Sequence, residues 1–174
     1  MTPIRLGPGA VFHRFHSPDW AHRPISGAGA AVNGGRFNRP GSEALYLSVE
    51  PETALAEYRQ SSTITPPATL VAYLVDVDGV IDFSKGYVSA SWPEEWAEAG
   101  GDWKYIARIE HRDPPTWRIG DALIRAGVKG LLFPSYRQSG GTNLVLFCAN
   151  LSETDLVAPY DPESRLPRDR RSWT

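Results

Sequence analysis

Short apolar runs, separated by segments rich in glycine, proline and serine, dominate the hydrophobic pattern of this chain. Runs of this length that carry β-branched and aromatic residues between turn residues are typical of strands. The pattern predicts strands at residues 11–15, 44–48, 71–77, 80–83, 130–134 and 143–149. The dipeptide Asp78-Gly79 is predicted to separate the third strand from the fourth.

Helical periodicity is found in fewer places. Pro51 suits the first turn of a helix, which good helix formers continue over residues 52–59. A second helix is predicted over residues 117–126, with Gly127 as its end. Its apolar face consists of Ile119, Leu123 and Ala126. The Trp- and Glu-rich stretch WPEEWAEAGGDW, residues 92–103, is predicted to hold one further short helix.

Helices and strands follow one another without regular alternation, which predicts an α+β fold with a mixed β-sheet core and short helices. Residues 17–43 are rich in turn formers and predict one long loop, of a kind that is functional or disordered in compact domains. The chain has 174 residues and no internal repeat, so we expect a single domain over residues 1–160. The arginine-rich residues 161–174 predict a solvated, mobile tail, with a partner-binding arm as the alternative.

Composition restricts the class of protein. Apolar residues make up 41% of the chain, charged residues make up 22%, and the net charge is −2. There is no global basic field that would favour nucleic acid as the main partner. No apolar run approaches the ~18 residues of a membrane helix, and no signal sequence precedes the first strand, so we expect a cytoplasmic protein without membrane contact. The single cysteine, Cys148, lies in the apolar run LVLFCAN and is predicted to be a small buried side chain.

The sequence GGRFN, residues 34–38, is the first candidate for chemistry. Gly35 allows the backbone to approach a ligand closely, and Arg36 offers a planar fork of donors that suits phosphate. A plain hairpin turn is an equally good interpretation, because neither a Walker GK[ST] sequence nor a GxGxxG fingerprint is present.

Glu57 lies at the edge of the apolar stripe of the predicted helix at 52–59. Its carboxylate is either a surface charge paired with a nearby arginine or a group at the rim of a cleft. In a cleft it would stabilise cationic charge or act as a base. Tyr46, in the preceding strand, could face the same cleft and offer its ring for stacking.

Ser135 and Asn143 frame the polar loop SYRQSGGT between two apolar strands. A Ser-His-acid triad is disfavoured, because there is no GxSxG sequence and no histidine in a recognisable catalytic setting. Zinc is disfavoured too, because the histidines lack an HExxH arrangement or cysteine partners. The histidines concerned are His13, His16, His22 and His111.

Four stretches, taken together and in order, resemble the RES domain: FHRFH, SGAGAAVNGGRFNRPGSEALYLS, PETALAEY and FPSYRQSGGTNLVLF. The resemblance covers residues 11–156. Phe37 stands where the family's GGRWN-like motif has tryptophan. The positions that match the family's functional residues are Arg36, Tyr46, Glu57 and Ser135, with Arg14 in the place of the early arginine.

The resemblance implies a fold similar to that of ADP-ribosyltransferase toxins, with NAD+ as substrate and no metal. RES proteins are toxins of bacterial type II toxin–antitoxin pairs that break the nicotinamide–ribose bond and pass ADP-ribose to phosphate, to water or to a protein. The two arginines would neutralise the pyrophosphate, and the tyrosine would stack on nicotinamide. Glu57 would stabilise the oxocarbenium-like charge on the ribose, and Ser135 with Asn143 would hydrogen-bond a ribose or phosphate.

The resemblance also implies growth arrest and a cognate antitoxin that blocks the active site. The acceptor of ADP-ribose stays open between phosphate, water and a target protein. Two other classes of function remain as alternatives. One is a non-catalytic module that holds a nucleotide through the glycine-rich loop, and the other is a nucleic-acid binder that uses the arginine-rich tail. The overall acidity and the lack of a recognised nucleic-acid motif disfavour the latter, so we expect no direct contact with nucleic acid.

Overall fold

The computed structural model describes residues 1–173, with side chains through residue 171. The strands are β1 (Ile4–His16), β2 (Ala44–Ser48), β3 (Thr69–Asp82), β4 (Gly130–Pro134), β5 (Thr142–Phe147) and β6 (Leu156–Pro159). The α-helices are α1 (Ala28–Asn33), α2 (Pro51–Arg59), α3 (Trp103–Arg108) and α4 (Pro115–Arg125). Short 3-10 helices cover Pro18–Trp20, Glu94–Gly100, Cys148–Asn150 and Arg170–Trp173. The predicted α+β class with a mixed sheet and short helices is confirmed.

The strands pair in the order β1-β2-β5-β4-β3. β3 also pairs with β1, so these five strands form a closed circuit of hydrogen-bonded neighbours. β6 is antiparallel to β3. The β3–β4 pair is parallel, and the other pairs are antiparallel. Because β3 is long enough to pair with β1 along one part and with β4 near its end, it connects the two ends of this circuit.

Alternation along β2, β4 and β5 divides the apolar side chains between two cores. Leu144 and Leu146 point into one core, which is formed mainly by strand residues and is called the strand core below. Val145 and Phe147 point into the other, the helix-side core, which α4 completes with Ile119 and Leu123. Tyr46 packs against the helix-side core. The same alternation puts Tyr46, Ser48 and Asn143 on one face of the sheet, since Tyr46 is opposite Val145 and Ser48 is opposite Asn143.

The predicted break at Asp78-Gly79 is wrong, because residues 69–82 form one strand. Ile4 pairs with Val80 and Leu6 pairs with Val77, so one residue of β1, Arg5, lies opposite two of β3, Asp78 and Gly79. This offset is a bulge. Gly79, with φ of +70°, supplies the left-handed conformation that a bulge accepts and other residues rarely adopt. The turn residues therefore bend a continuous strand.

The predicted loop at 17–43 is also wrong as a single loop, since it contains a 3-10 helix and helix α1. The N-cap residue Gly27 has no side chain to cap α1, but Ser26 Oγ accepts a 3.2 Å hydrogen bond from the Ala28 N–H, and tertiary contacts also hold the helix. Asn38 Nδ2 donates to the carbonyl oxygen of Ala30 over 3.0 Å. A Cβ at Gly27 would lie 2.8 Å from the backbone nitrogen of Ala44, so the helix starts directly against β2.

The stretch WPEEWAEAGGDW forms two elements instead of one helix. A 3-10 helix covers Glu94–Gly100, and α3 begins after Asp102, whose carboxylate accepts a 3.1 Å hydrogen bond from the Tyr105 N–H. An aspartate at this position is a preferred helix cap. The break between the two elements turns α3 toward the cavity described below.

Two smaller features of the C-terminal part differ from prediction. β5 ends at Phe147, so Cys148 begins a 3-10 turn and is half-buried instead of buried. The side chain of Leu166 packs against the strand core, and Asp161 accepts hydrogen bonds from the Arg165 and Leu166 N–H groups. This part of the predicted tail is therefore held to the domain. Within residues 1–173, no helix is long and apolar enough to span a bilayer.

Candidate active site

A cavity of about 500 Å³ opens where β1, β2, β5, α2 and α3 meet the GGRFN turn. This volume is in the range of pockets that bind small molecules and cofactors. The sequence-predicted residues that line it are Arg14, Gly35, Arg36, Tyr46, Glu57 and Asn143. Ser135 lies beside the cavity and contacts Glu57. Residues from distant parts of the chain thus meet at one place.

The Glu57 carboxylate is held by two donors. Its Oε1 accepts a 2.8 Å hydrogen bond from Ser135 Oγ and a 2.6 Å hydrogen bond from Asn143 Nδ2. Asn143 Oδ1 in turn accepts a 2.7 Å hydrogen bond from Ser48 Oγ, across the β2–β5 pair. No described residue forms an ion pair with Glu57. The interpretation of Glu57 as a surface charge paired with an arginine is therefore wrong.

The loop after β4 is fastened around Ser135. Its Oγ accepts hydrogen bonds of 3.1 Å from the N–H groups of both Arg137 and Gln138. The Ser135 N–H donates to the carbonyl oxygen of Gly141 over 2.8 Å. Gly141 packs directly on α2, where a Cβ would lie 2.3 Å from Thr53 Oγ1. The donor that orients Glu57 is therefore itself fixed.

The GGRFN turn is held by Tyr46 and Trp117. The Tyr46 hydroxyl donates to Asn38 Oδ1 over 2.8 Å and accepts a 2.9 Å hydrogen bond from the Phe37 N–H. Trp117 Nε1 donates to the carbonyl oxygen of Gly35 over 2.8 Å. A Cβ at Gly35 would lie 2.5 Å from the Tyr46 hydroxyl, so only glycine fits. These contacts fix the backbone on both sides of Arg36.

Tyr46 consequently has one role that the sequence did not suggest. Burial raises the pKa of its hydroxyl, while the Phe37 N–H and Arg36 act in the opposite direction. The hydroxyl therefore stays protonated and holds the GGRFN turn through its hydrogen bonds to Phe37 and Asn38. Its ring lines the cavity and meets Phe133 edge-to-face, with 6.5 Å between ring centroids. Stacking of this ring on a ligand stays a prediction.

Arg36 links the GGRFN turn to the segment before α3 and to the loop after β4. Its Nη1 donates to the carbonyl oxygens of Ala99 and Gly101 over 2.9 and 2.8 Å. Its guanidinium carbon lies 4.3 Å from the ring centroid of Tyr136, a cation–π distance. Burial lowers the pKa of Arg36, and Tyr136 and Glu57 oppose that shift. One nitrogen is thus committed to the protein, and the other donors of the fork remain for a ligand.

Arg14 is a half-buried cation that has few hydrogen-bond acceptors around it in the described protein. Its one hydrogen bond to a described residue is a long contact of 3.4 Å from Nη1 to the carbonyl oxygen of Ser26. Burial lowers its pKa. Neither Arg14 nor Arg36 forms an ion pair with a described carboxylate. Burying an unpaired charge is costly, so both arginines suit a site that receives an anion.

Several residues that line the cavity or support its walls were missed by sequence reasoning. Asn38 and Trp117 hold the turn, and their signal is weak: an asparagine after GGRF and a tryptophan at the start of a helix. His13 lines the cavity, and its Nδ1 lies 2.9 Å from the carbonyl oxygen of Val49. Four more residues that line the cavity are Lys104, Arg108, Tyr136 and Arg137. Within the part of the chain that is described, no group of three or more His, Cys, Asp or Glu side chains is arranged as metal ligands are.

The chain resembles known proteins in its fold and in its family. Comparison with curated protein sequences yields no match. Among solved structures, a chain in the crystal structure of the M. tuberculosis MbcT–MbcA toxin–antitoxin complex is similar, with a TM-score of 0.58 and 23% identity. The similarity covers 90% of this chain and 84% of that one, and at this identity it establishes the fold.

The family model described as the RES domain matches residues 11–169, which include the whole cavity and nearly all of the sheet. The chain therefore belongs to the RES-domain family.

Proposed function

We propose that this protein is the toxin of a bacterial type II toxin–antitoxin system that binds NAD+ in the cavity and breaks its nicotinamide–ribose bond. Membership of the RES-domain family and the fold shared with a chain of a toxin–antitoxin complex support the proposal. The observation that carries it is the carboxylate of Glu57, oriented by Ser135 and Asn143 in a cavity that also holds unpaired arginines.

Binding follows from the charges of the cavity. Arg14 and Arg36 would neutralise the pyrophosphate of the dinucleotide, with the free donors of Arg36 giving charge-assisted hydrogen bonds. Gly35 lets the backbone approach the ligand closely, since no side chain projects there. The Tyr46 ring is the aromatic surface for nicotinamide. This division of roles matches a ligand that is anionic in its middle and aromatic at its end.

Bond cleavage needs stabilisation of a cation. When the bond breaks, its electron pair goes to the nicotinamide nitrogen, which becomes neutral, and the ribose carbon takes the positive charge. A carboxylate fixed in advance stabilises that charge without having to reorganise. The two donors on Oε1 keep the Glu57 carboxylate aimed into the cavity. An oxygen of the acceptor (phosphate, water or a protein side chain) then forms the new bond with a lone pair and releases any proton that it carries.

The test is one incubation with three readouts. Purified protein is mixed with NAD+, with and without inorganic phosphate and cell lysate, and the products are separated by chromatography. We expect free nicotinamide together with ADP-ribose-1″-phosphate, free ADP-ribose or labelled protein. Saturable NAD+ binding with no release of nicotinamide would instead indicate the alternative function, a non-catalytic nucleotide-binding module.

Control of such an enzyme would need a partner in the same cytoplasm. We propose a cognate antitoxin whose chain covers the cavity, with an acidic segment that pairs with Arg14 or Arg36 as a phosphate would. Parts of the 17–43 segment and of the loop after β4 line the cavity, so a chain lying across them would exclude NAD+. Co-expression followed by NAD+ cleavage assays before and after removal of the antitoxin tests this. A complex as active as the free protein would contradict it.

A further inference from the structure

Helix α3 forms one wall of the cavity without belonging to either core. Its residues Trp103, Lys104 and Arg108 line the cavity. None of the residues 101–112 is buried, and Tyr105 on the helix is exposed. A helix of six residues has too few backbone hydrogen bonds to be stable by itself. The position of α3 therefore depends on the few contacts that it makes with the rest of the protein.

Two polar contacts fasten this wall. Arg36 binds two carbonyl oxygens directly before α3. Lys104 Nζ donates to Gln60 Oε1 over 2.6 Å, which ties α3 itself to the end of α2. Among the described residues, this is the only hydrogen bond between α3 and a distant part of the chain. When it breaks, α3 stays attached only through the segments at its two ends.

Gln60 makes this contact from an unfavourable backbone conformation. It ends α2 with φ of +54° and ψ of −110°, a region that glycine enters readily and residues with a Cβ avoid. Its N–H donates to the carbonyl oxygen of Ala56, a helix-ending contact that glycine would make without strain. What glutamine adds is the side-chain amide that reaches Lys104. Strained residues of this kind persist where they serve a functional site.

The closed position of α3 also has an electrostatic cost in the empty protein. Lys104 is half-buried, its partner is a neutral amide, and no described carboxylate forms an ion pair with it. Burial, and then the charges of Arg108 and Arg137, lower its pKa. An anionic ligand in the cavity would attract this cation when α3 is closed and lose that attraction when α3 opens. A ligand with this preference shifts the population toward the closed state.

We propose that α3 is a lid on the cavity and that Gln60 is the residue that positions it. The hydrogen bond between Gln60 and Lys104 opens to admit an anionic ligand and re-forms over the bound ligand, which closure separates from bulk water. The identity of the ligand as NAD+ rests on the proposed function, whereas the lid itself does not. Gln60 takes no part in bond cleavage and acts on it through the position of α3.

The test is hydrogen–deuterium exchange of the full chain at residues 101–112, without ligand and with saturating ADP-ribose, the part of NAD+ that remains after nicotinamide leaves. Gln60→Ala removes the contact and keeps the strained backbone, whereas Gln60→Gly removes both. Gln60→Glu keeps an oxygen of the same reach and adds a charge that attracts Lys104. The control is Ser164→Gly, which relieves a φ of +53° at an exposed residue of the C-terminal segment. Circular dichroism checks that each protein is folded.

Exchange at residues 101–112 should be faster by about fivefold or more in Gln60→Ala and Gln60→Gly, because a hydrogen bond to a charged group is lost. Gln60→Glu and Ser164→Gly should exchange at the wild-type rate or more slowly. ADP-ribose should slow exchange of this segment in the wild type. Gln60→Gly should also unfold at a higher urea concentration than Gln60→Ala, because glycine relieves the strain.

Equal exchange in wild type and Gln60→Ala would overturn the lid, and so would exchange in Gln60→Glu that is as fast as in Gln60→Ala. ADP-ribose that protects other parts of the cavity but not residues 101–112 would overturn it too. A Gln60→Gly protein no more stable than Gln60→Ala would refute the strain at Gln60. If ADP-ribose protected no part of the cavity while the variants still differed, that result would contradict the proposed function alone.

Discussion

Ser135 donates its hydroxyl proton to Oε1 of Glu57 over 2.8 Å, although the two residues are 78 positions apart in the chain. Asn143 Nδ2 reaches the same oxygen from β5. The carboxylate is therefore oriented by a loop and a strand that its own helix meets only in the folded protein. Because Ser135 and Asn143 both bind its Oε1, the Glu57 carboxylate has a fixed orientation that an isolated helix would not give it.

Substitution of Ser135 by alanine should lower kcat for NAD+ cleavage on the order of 10- to 100-fold and leave KM for NAD+ within about threefold, because one orienting hydrogen bond to Glu57 is lost. Steady-state kinetics of nicotinamide release measures both constants. Ser139→Ala, an exposed change in the same loop, is the control and should behave as wild type. Equal kcat for the two variants would remove Ser135 from the mechanism.

Substitution of Arg36 by alanine should raise KM for NAD+ on the order of 10-fold or more, because charge-assisted hydrogen bonds to the pyrophosphate are lost. Arg36→Lys should restore binding only in part, because lysine has no planar fork. Loss of the contacts to Ala99 and Gly101 should also loosen the segment before α3. Hydrogen exchange of residues 99–105 reads out that effect separately. An Arg36→Ala protein with an unchanged KM would reduce GGRFN to a structural turn.

Substitution of Tyr46 by phenylalanine should lower the free energy of unfolding by about 1–3 kcal/mol, because Asn38 Oδ1 and the Phe37 N–H both lose a buried partner. Denaturant unfolding measures the change. Tyr105→Phe is the matched control, since Tyr105 is exposed and removal of its hydroxyl should cost little. If the two variants were equally stable, the Tyr46 hydroxyl would not hold the turn.

The sequence was sufficient for elements whose signal is local. The strand at residues 44–48 and the helix that begins at Pro51 match prediction because alternation and a proline in the first turn determine them. Helix α1 could not be found in this way, because the contact between Gly27 and Ala44 that supports it exists only after folding. The family resemblance selected Glu57, Arg36 and Ser135, but the cations of α3 have no sequence signal that separates them from solvated charges.

A pH effect on stability should come from His16. The Tyr73 hydroxyl donates its one hydrogen to the carbonyl oxygen of Pro24. His16 Nε2–H is therefore the donor in the 2.6 Å hydrogen bond to the Tyr73 hydroxyl oxygen. Burial, together with the charge of Arg14, lowers the pKa of His16 to about 3. An unfolded histidine titrates near ~6.5. Between these values the unfolded chain binds more protons, so stability is full above about pH 6.5 and falls as pH decreases, by up to about 1.4 kcal/mol per pH unit.

Urea unfolding between about pH 6.5 and 4.5, above the range in which most carboxylates titrate, measures this slope. His16→Gln, which cannot gain the charge, should show a smaller slope than wild type. The control is His111→Asn, an exposed residue with φ of +50°, a conformation that asparagine tolerates. Identical slopes for His16→Gln and wild type would show that His16 does not stay neutral in the folded protein.

Release of nicotinamide from NAD+ by the wild type and by Glu57→Gln is the most direct measurement of the proposed function. Glutamine keeps the shape of the side chain and an oxygen for Ser135 but removes the charge that stabilises the cationic ribose. Glu52→Gln, an exposed change on the same helix, is the matched control. We predict that wild type and Glu52→Gln release nicotinamide, and that Glu57→Gln is slower on the order of 10²- to 10⁴-fold while remaining folded. A folded Glu57→Gln protein that consumes NAD+ at the wild-type rate would contradict the central role of this carboxylate.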